Sequence, residues 1–413
     1  MSHRSSTLRA AMLCAAALVA LGGQGVAAKR PSLAGRQLDV KPIVDVSAVV
    51  GVPSCANALN ELGTVVGVRR QFGIPYGFSW SVSGGLVTLE PDTTALAVND
   101  LGEMAGYGDV TGTGLDARVW TGAGTANIAV GVAYSLNNRG EVVGFHLPPV
   151  GDPPINHGFR WTAIGGLMDV ESLSGVTPPW SYFAPLSITR FIRADGVMAG
   201  ERGGLAVIWL PNGQFATLGS GVANSVNDSG VAAGGTSLSS GRPAVWRNGV
   251  PTIITDATGE AVDINAAGYV VGWMSVGGES HGFVWHADRG LWDLGPGQAR
   301  NIDELGTIAG CRGVDDESRA TLWQARMTAA DYLVGFESLA RRLLADVDPD
   351  ATVVVFRQID LAQQALDRGR ADVAARHLQH AVKKIGDLAK SGVLPPEWAA
   401  LLERAGQRIA TAL

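Results

Sequence analysis

The sequence has few charged residues, no basic excess and no long apolar run beyond its N-terminus, and each shortage excludes a class of protein. Charged residues make up 17% of the 413 residues, and the net charge of −6 argues against a nucleic-acid binder, because such proteins normally carry a basic balance. No later stretch is apolar enough for a transmembrane helix. Without a Gly-X-Y period, a collagen triple helix is also excluded.

Glycine and apolar residues are abundant instead. The chain has 55 glycines and 46% hydrophobic residues, which supply enough apolar surface to offset chain entropy and to exclude wholesale disorder. The composition therefore indicates a turn-rich globular protein with two domains or one large one.

The N-terminus has the pattern of a secretory signal. Arg4 and Arg9 precede an uncharged stretch, residues 10–21, and small residues follow it. This apolar stretch is too short to span a bilayer as a helix. We expect residues 1–28 to be a signal peptide, residues 29–40 to be a linker, and the mature chain to be exported to the periplasm or the extracellular space.

Two of the three cysteines, Cys55 and Cys311, remain after signal cleavage, because Cys14 leaves with the signal. An even number of cysteines in an exported chain indicates a disulfide between them. Two buried free thiols are the alternative.

The composition changes sharply near residue 325. Residues 325–413 hold only five of the 55 glycines and a larger share of charged residues than the preceding part. Two domains of different secondary structure explain this change best, with boundaries at 41–324 and 325–413.

Residues 41–324 contain seven copies of a three-point repeat, which consists of a turn ending in glycine, a second glycine four residues later and a tryptophan. The turn glycines, at intervals of 39, 38, 56, 34, 38 and 38 residues, are Gly63, Gly102, Gly140, Gly196, Gly230, Gly268 and Gly306. The second glycines are Gly67, Gly106, Gly144, Gly200, Gly234, Gly272 and Gly310. The tryptophans are Trp80, Trp120, Trp161, Trp209, Trp246, Trp285 and Trp323.

A complete repeat has the sequence features of four short strands. Asn or Asp at the first turn position and Gly at the fourth favour a type I turn, and β-branched runs such as Thr64-Val65-Val66 flank it. Four strands in about 38 residues match one blade of a β-propeller. The predicted fold class is mainly β: a seven-bladed β-propeller followed by a small α-helical bundle.

The last repeat lacks a fourth strand, and the N-terminal segment Pro42–Val46 resembles one. We expect this segment to complete the last blade and to remove the open sheet edges. Closure makes the first and last blades neighbours, which places Cys55 and Cys311 on the same face and favours the disulfide over free thiols.

The repeat resembles the HAF repeat of bacterial exported proteins. The resemblance rests on the turn motif followed by His157-Gly158-Phe159-Arg160-Trp161 or His281-Gly282-Phe283-Val284-Trp285, and it covers residues 41–324. It implies an extracellular repeat with no shared catalytic residues.

The C-terminal part has the apolar spacing of helices, with Tyr332, Phe336 and Leu339 at three- and four-residue steps. Three further helices are predicted, ending near Gly369, near Lys390 and beyond Ile409. Their order is similar to the FIMAH-type helical module of bacterial surface and secreted proteins. That resemblance implies an accessory or attachment role.

No metal, cofactor or catalytic signature is recognisable in the sequence. Asp346, Asp348 and Asp350 alternate as in a calcium loop, but Ala351 and Arg357 occupy the positions where an EF-hand requires Gly and Glu. We therefore predict no metal site, no cofactor and no catalytic residue.

The irregular 56-residue interval is the best sequence candidate for function. It carries two proline-rich insertions, His146–Asn156 and Ser174–Pro185, and long loops on a rigid scaffold commonly bind ligands. We predict a ligand surface at this interval. Its residues are Trp180, Tyr182, Phe183 and Arg193. The alternative is that the aromatic side chains only cover an irregular blade.

The sequence thus predicts a non-catalytic exported protein that binds an extracellular glycan or protein, with no nucleic-acid partner. The alternative is a propeller-based hydrolase or lyase that acts on an extracellular polysaccharide. Two or more acids converging in a central cleft would favour the enzyme. An empty or apolar channel with exposed aromatic residues on one face would favour binding.

Overall fold

The computed structural model describes residues 40–51, 53–109, 112, 115–147, 156–173, 187–237 and 241–413. This part of the chain is mainly β, with several antiparallel sheets and a C-terminal helical region. Within it, none of the helices has the length and apolar character that crossing a membrane requires.

The strands are numbered β1 to β26 and the α-helices α1 to α5 along the chain. β1 to β8 are Val40–Asp45, Ser54–Leu59, Val65–Gln71, Ile74–Ser81, Gly85–Pro91, Thr93–Val98, Met104–Gly108 and Asp116–Thr121. β9 to β16 are Gly124–Leu136, Val142–His146, His157–Thr162, Gly166–Asp169, Ser187–Ile192, Met198–Arg202, Leu205–Trp209 and Phe215–Ser220. β17 to β26 are Val222–Val226, Ala232–Gly235, Pro243–Arg247, Val250–Ile253, Gly259–Ile264, Val270–Val276, Glu279–His286, Gly290–Ile302, Thr307–Arg312 and Arg319–Ala325. α1 to α5 are Ser47–Val50, Ala329–Leu343, Pro349–Asp367, Ala371–Lys390 and Pro396–Ala412.

The described strands form five antiparallel sheets. Three sheets have four strands each, in the orders β2-β3-β4-β5, β13-β14-β15-β16 and β17-β18-β19-β20. The other two have seven strands, in the orders β12-β11-β10-β9-β8-β7-β6 and β1-β26-β25-β24-β23-β22-β21. Each seven-stranded sheet contains one 13-residue strand, β9 or β24, which pairs with the preceding strand along its first half and with the following strand along its second half.

Seven strands pack against one another in a closed cycle, and we call them the inner strands. The order of contact is β2, β6, β9, β13, β17, β21 and β24, and β24 contacts β2 again. Strands from the two ends of the repeat region are therefore neighbours.

The N-terminal strand closes the last sheet, as predicted from Pro42–Val46. β1 pairs antiparallel with β26, with Val40 opposite Ala325 and Asp45 opposite Thr321. The predicted disulfide is also confirmed, because Cys55 in β2 is bonded to Cys311 in β25 across a sequence separation of 256 residues.

Tryptophans of the repeat fill the spaces between sheets. Trp209 and Trp246 are fully buried, Trp120 and Trp323 are nearly so, and the other three repeat tryptophans are half-buried against apolar clusters. The four buried tryptophans are thus part of the core between neighbouring sheets.

The helices form where the apolar spacing predicts them. Tyr332, Phe336 and Leu339 of α2 are buried in one core cluster, which also contains residues of β24, β25 and β26. Thr328 and Asp331 form a capping box at the start of α2. Asp348 is the middle one of the three alternating aspartates at 346, 348 and 350. It accepts a hydrogen bond from the backbone N–H of Asp350 and caps α3.

Candidate functional site

Each inner strand contains a β-bulge at the same point, and the bulge turns one side chain away from the sheet. In β2, Ala56 lies opposite Gly67 and Ala58 lies opposite Val66, so that Asn57 has no partner residue. A bulge inserts one residue and re-aims its side chain. The equivalent residues, each three positions before the first residue of the turn, are Asn57, Leu96, Tyr134, Arg190, Asn224, Val262 and Arg300. We call them the bulge residues.

The second glycine of the repeat makes room for this bulge. A Cβ atom on Gly67 would lie 2.0 Å from the carbonyl oxygen of Cys55, closer than any side chain tolerates. The same contact, at 1.9–2.1 Å, recurs at each of the other six second glycines. These glycines therefore allow the backbones of the inner and second strands to approach, because glycine has no side chain to collide.

All seven bulge residues line one cavity of about 840 Å³ enclosed by the inner strands. Their side chains differ in chemistry: two arginines, two asparagines, one tyrosine and two aliphatic residues. Gln298 and Arg300 also line a second cavity of about 500 Å³, which lies beside the Cys55–Cys311 disulfide. The cavity thus has a few polar groups placed on rigid strands among apolar residues.

Seven turns follow the inner strands at one end of the cavity, and we call them the rim turns. They are Asn60–Gly63, Asn99–Gly102, Asn137–Gly140, Arg193–Gly196, Asn227–Gly230, Asn265–Gly268 and Asp303–Gly306. In each, the backbone N–H of the glycine donates to the carbonyl of the first residue, at 2.9–3.2 Å. The predicted turn is confirmed.

In six of the seven rim turns, all but the one that begins at Asp303, the first residue also joins its turn to the next one. Asn60 donates from its side-chain amide to the carbonyl of Asn99 at 2.8 Å, and Asn265 donates to the carbonyl of Asp303 at 3.1 Å. Residues at the second turn position reach in the opposite direction: Asp100 accepts from the backbone N–H of Glu61 at 3.1 Å. The sequence did not indicate this role, because the two partners of each such bond belong to different repeats.

Arg193, one of the four predicted ligand-surface residues, belongs to this network. Its Nη1 donates to the carbonyl of Asn227 at 2.7 Å, and its guanidinium also pairs with Asp195. Arg193 lines the cavity at the rim-turn end. The other three residues, Trp180, Tyr182 and Phe183, lie outside the described residues, so the shared surface stays a prediction.

The described strand ends next to the two insertions hold a buried cluster of His146, His157 and Asp169. Nδ1 of His157 lies 3.1 Å and Nε2 of His146 lies 3.8 Å from Oδ2 of Asp169. Burial raises the pKa of Asp169, but the two imidazoles and the backbone N–H of Glu171 outweigh it and hold this pKa well below its ordinary value. His281 also pairs with Asp293, at 2.9 Å, so the histidine of each His-Gly-Phe segment contacts an aspartate twelve residues later.

Helix α2 lies against the rim-turn end of the cavity. Arg342 donates to Oε1 of Glu61 at 3.0 Å, and its Nε lies 3.5 Å from Oδ2 of Asp100. Oγ of Ser338 lies 2.7 Å from Oδ2 of Asp228 and 3.2 Å from Oε1 of Glu304. A single helix thus reaches rim turns that follow β2, β6, β17 and β24.

Four carboxylates therefore converge at this end of the cavity, and each contacts a side chain of α2. They are Glu61, Asp100, Asp228 and Glu304. Burial raises the pKa of Glu304 to about 7, although the charge of Arg342 and the backbone N–H of Ala266 oppose the shift. Burial also raises the pKa of Glu61 well above its ordinary value, again against the charge of Arg342. Acids with raised pKa values are typical of catalytic sites and also of buried ion networks.

The sequence offered one signal for the bulge residues. Their position is constant relative to the turn, while the residue type changes from repeat to repeat between small and apolar neighbours. A variable position inside a regular repeat indicates a side chain that the scaffold does not require for folding. Arg190 follows the second insertion in the sequence, but nothing in its spacing alone predicts that it faces a cavity.

No protein-family model matches the chain, and no curated protein is detectably similar to it in sequence. Among solved structures, the chain is similar to the acylaminoacyl peptidase of Pyrococcus horikoshii, with 12% identity and a TM-score of 0.40 over 68% of this chain and 53% of that one. It thus spans about half of the peptidase's length. It is also similar to a streptogramin B lyase, with 12% identity and a TM-score of 0.36 over 70% of this chain and 98% of that one. At these TM-scores the similarity transfers no activity to this chain.

Proposed function

We propose that this protein is an exported, non-catalytic binding protein whose ligand occupies the cavity between the inner strands. Its scaffold is a seven-bladed β-propeller of the HAF-repeat kind, and its C-terminal helices are a FIMAH-type module that covers the rim-turn end. Division of the two seven-stranded sheets at β9 and β24 yields four further units of four strands, with β1 as the outer strand of the last. Together with the three four-stranded sheets, this supports seven blades.

The convergence of the seven bulge residues carries the binding proposal. A scaffold needs neither the bulges nor the variety of side chains at them, since a regular inner strand pairs better than a bulged one. Here every inner strand has the bulge, and every second glycine makes room for it. The loss of strand pairing at all seven bulges is explained if each bulge presents one variable side chain to a bound molecule.

The disulfide supports export. Cys55 and Cys311 join strands from the two ends of the repeat region, and such bonds persist in oxidising compartments. The N-terminal sequence pattern of a secretory signal is consistent with this location.

The enzyme alternative rests on the four converging carboxylates, and above all on Glu304 with its pKa of about 7. Oε2 of Glu304 accepts from the backbone N–H of Ala266 at 2.9 Å, and Oε1 lies next to Ser338. Glu61 and Asp100 flank Arg342. Oε2 of Glu61 is buried without a hydrogen-bond partner, whereas Oε1 of Glu61 and both oxygens of Glu304 contact groups of the chain. These contacts serve the docking of α2, which favours binding over hydrolysis.

A cavity-filling variant tests the proposed function. The mature protein is screened on glycan and peptide arrays, next to Leu96→Trp and Val262→Trp, which fill the cavity without altering a charge. We expect wild-type protein to retain a ligand that each variant binds at least tenfold more weakly. The exposed Val250→Trp in β20 is the matched control and keeps full binding.

Two results would contradict the proposal. One is a ligand that the folded Trp variants bind as tightly as wild type, since that places the site elsewhere. The other is a folded wild-type protein that retains nothing on either array. Thermal unfolding of each variant establishes that it is folded.

A further inference from the structure

The cavity contains two arginines, Arg190 and Arg300, that form no ion pair with any described residue. They are the bulge residues of β13 and β24. In the cycle of inner strands, β17 and β21 separate these two strands on one side, and β2, β6 and β9 separate them on the other. The two cations therefore face the cavity from opposite walls.

Arg300 is held by neutral acceptors alone. Its Nη1 donates to Oδ1 of Asn57 at 3.2 Å, and its Nη2 donates to Oε1 of Gln298 at 2.8 Å. Its Nε is buried without a hydrogen-bond partner. Burial lowers the pKa of Arg300, because the guanidinium loses hydration without gaining a counter-ion. An anion beside the guanidinium would replace the favourable hydration that burial removes.

Arg190 is oriented by an aromatic ring. Its guanidinium lies over the ring of Tyr134 at 5.0 Å, and its Nε is buried without a hydrogen-bond partner. Burial raises the pKa of Glu201, and the charge of Arg190 lowers it by less; Glu201 accepts from the backbone N–H of Gly204 at 3.1 Å and forms no ion pair with Arg190. The stacked guanidinium thus keeps hydrogen-bonding capacity for a ligand.

The lining also contains groups suited to a hydroxylated ligand, next to apolar residues such as Leu96, Phe191 and Val262. Asn57, Asn224 and Gln298 supply amides, while Tyr134 and Trp273 supply aromatic surface. Two carboxylates of the inner strand β21 also line the cavity: Glu260 is engaged by the amide of Asn224 at 2.8 Å, and Asp263 by the amide of Asn301 at 2.7 Å. A volume of about 840 Å³ accommodates several linked sugar rings.

We propose that the ligand is an acidic oligosaccharide, two of whose carboxylates pair with Arg190 and Arg300. This inference rests on the proposed function, because it names the ligand class for the same cavity. The arginines supply planar two-point recognition of carboxylates, and two cations on opposite walls suit a chain with more than one acidic ring. The amides and aromatic surfaces take the hydroxyls and the apolar faces of the sugar rings.

Calorimetric titration of the mature protein tests the proposal with three probes: trigalacturonic acid, its fully methyl-esterified form, and triglutamate. We expect the acid to bind, the ester to bind at least thirtyfold more weakly, and triglutamate to bind at least tenfold more weakly than the acid. Arg190→Gln and Arg300→Gln should each weaken binding of the acid at least tenfold. Arg242→Gln, which removes an exposed pair with Asp256, is the control and leaves binding unchanged.

The proposal is overturned if the ester binds as well as the acid, if triglutamate binds as well as the sugar, or if both arginine variants bind like wild type. It is also overturned if none of the three probes binds. The proposed function still holds after any of these results if a ligand of other chemistry from the arrays binds the wild-type protein and Leu96→Trp abolishes that binding. The ester comparison uses wild-type protein alone, so it stands even where an arginine variant does not fold.

Discussion

Asn137 donates a hydrogen bond from its side-chain amide to the backbone carbonyl of Arg193, 56 residues further along the chain, at 2.9 Å. Arg193 in turn donates from its guanidinium to the carbonyl of Asn227 at 2.7 Å. The network of rim turns therefore continues across the one interval where the repeat spacing is longest. Arg193 replaces asparagine without interrupting the network, because its longer side chain reaches the same acceptor.

Asn265→Asp should destabilise the fold by about 1–3 kcal/mol, because it leaves a buried carbonyl without its donor. The side chain of Asn265 is 2% exposed, and its amide donates to the carbonyl of Asp303. An aspartate retains the turn acceptor for the backbone N–H of Tyr269 but has no hydrogen to donate. Urea unfolding at pH 7 measures the difference.

Asp303→Asn is the opposite change at the equivalent position and serves as the comparison. Asp303 is the rim-turn residue that cannot donate to the next turn, and burial raises its pKa. Asparagine removes a buried charge and supplies a donor, so we expect equal or greater stability. The network account fails if both substitutions shift the free energy of unfolding by the same amount and in the same direction.

Arg342→Met should lower the free energy of unfolding by roughly 3–5 kcal/mol, because Glu61 and Asp100 then remain buried without their cation. Both carboxylates are less than a tenth exposed. Arg376→Met in α4 is the matched control, since its ion pair with Asp372 is exposed and contributes little. Equal unfolding curves for the two variants would contradict the docking role of Arg342.

Glu304→Gln should flatten the pH dependence of stability. The pKa of Glu304 is about 7 in the folded protein against an ordinary value of 4.5, so the folded state holds a proton that the unfolded state releases. The free energy of unfolding of wild type therefore falls as pH rises from about 4.5 to about 7, by roughly 2–3 kcal/mol from this group. Glutamine removes that contribution.

Urea unfolding at pH 5, 6, 7 and 8 measures this slope for wild type, Glu304→Gln and the exposed control Glu279→Gln. We expect the control to follow wild type. If Glu304→Gln retains the full wild-type slope, the titration of Glu304 is not what makes stability depend on pH.

The Cys55→Ala/Cys311→Ala double variant should lose about 2–5 kcal/mol of stability, because the disulfide closes a long stretch of chain and restricts the unfolded state. Wild type in the presence of a reductant should unfold like the double variant. Mass spectrometry of the unreduced exported protein should find no alkylatable thiol among the mature residues. Two alkylatable thiols would contradict the bond.

Much of the fold follows from local sequence chemistry. The Asn-x-x-Gly spacing predicted the rim turns, the pairing of the N-terminal strand with β26 followed from the missing strand of the last repeat, and the apolar steps from Tyr332 to Leu339 predicted α2. These features depend on residues close together in the chain or on strict repetition. They are therefore visible in one sequence.

The site depends on contacts that no local pattern contains. Asn57 lines the cavity because a bulge, opposite a glycine ten residues later, turns its side chain inward. Arg342 is an ordinary basic residue near the end of a helix until α2 docks, when it meets Glu61, 281 positions away in sequence. The predicted aromatic surface at Trp180, Tyr182 and Phe183 lies outside the described residues and stays a prediction.

A crystal structure of the mature protein with its tightest array ligand tests the central claim most directly. We predict ligand density within the cavity, in contact with bulge residues of at least three inner strands, Arg300 among them. Density confined to the outer strands or to the helices, with the cavity free of ligand, would contradict it.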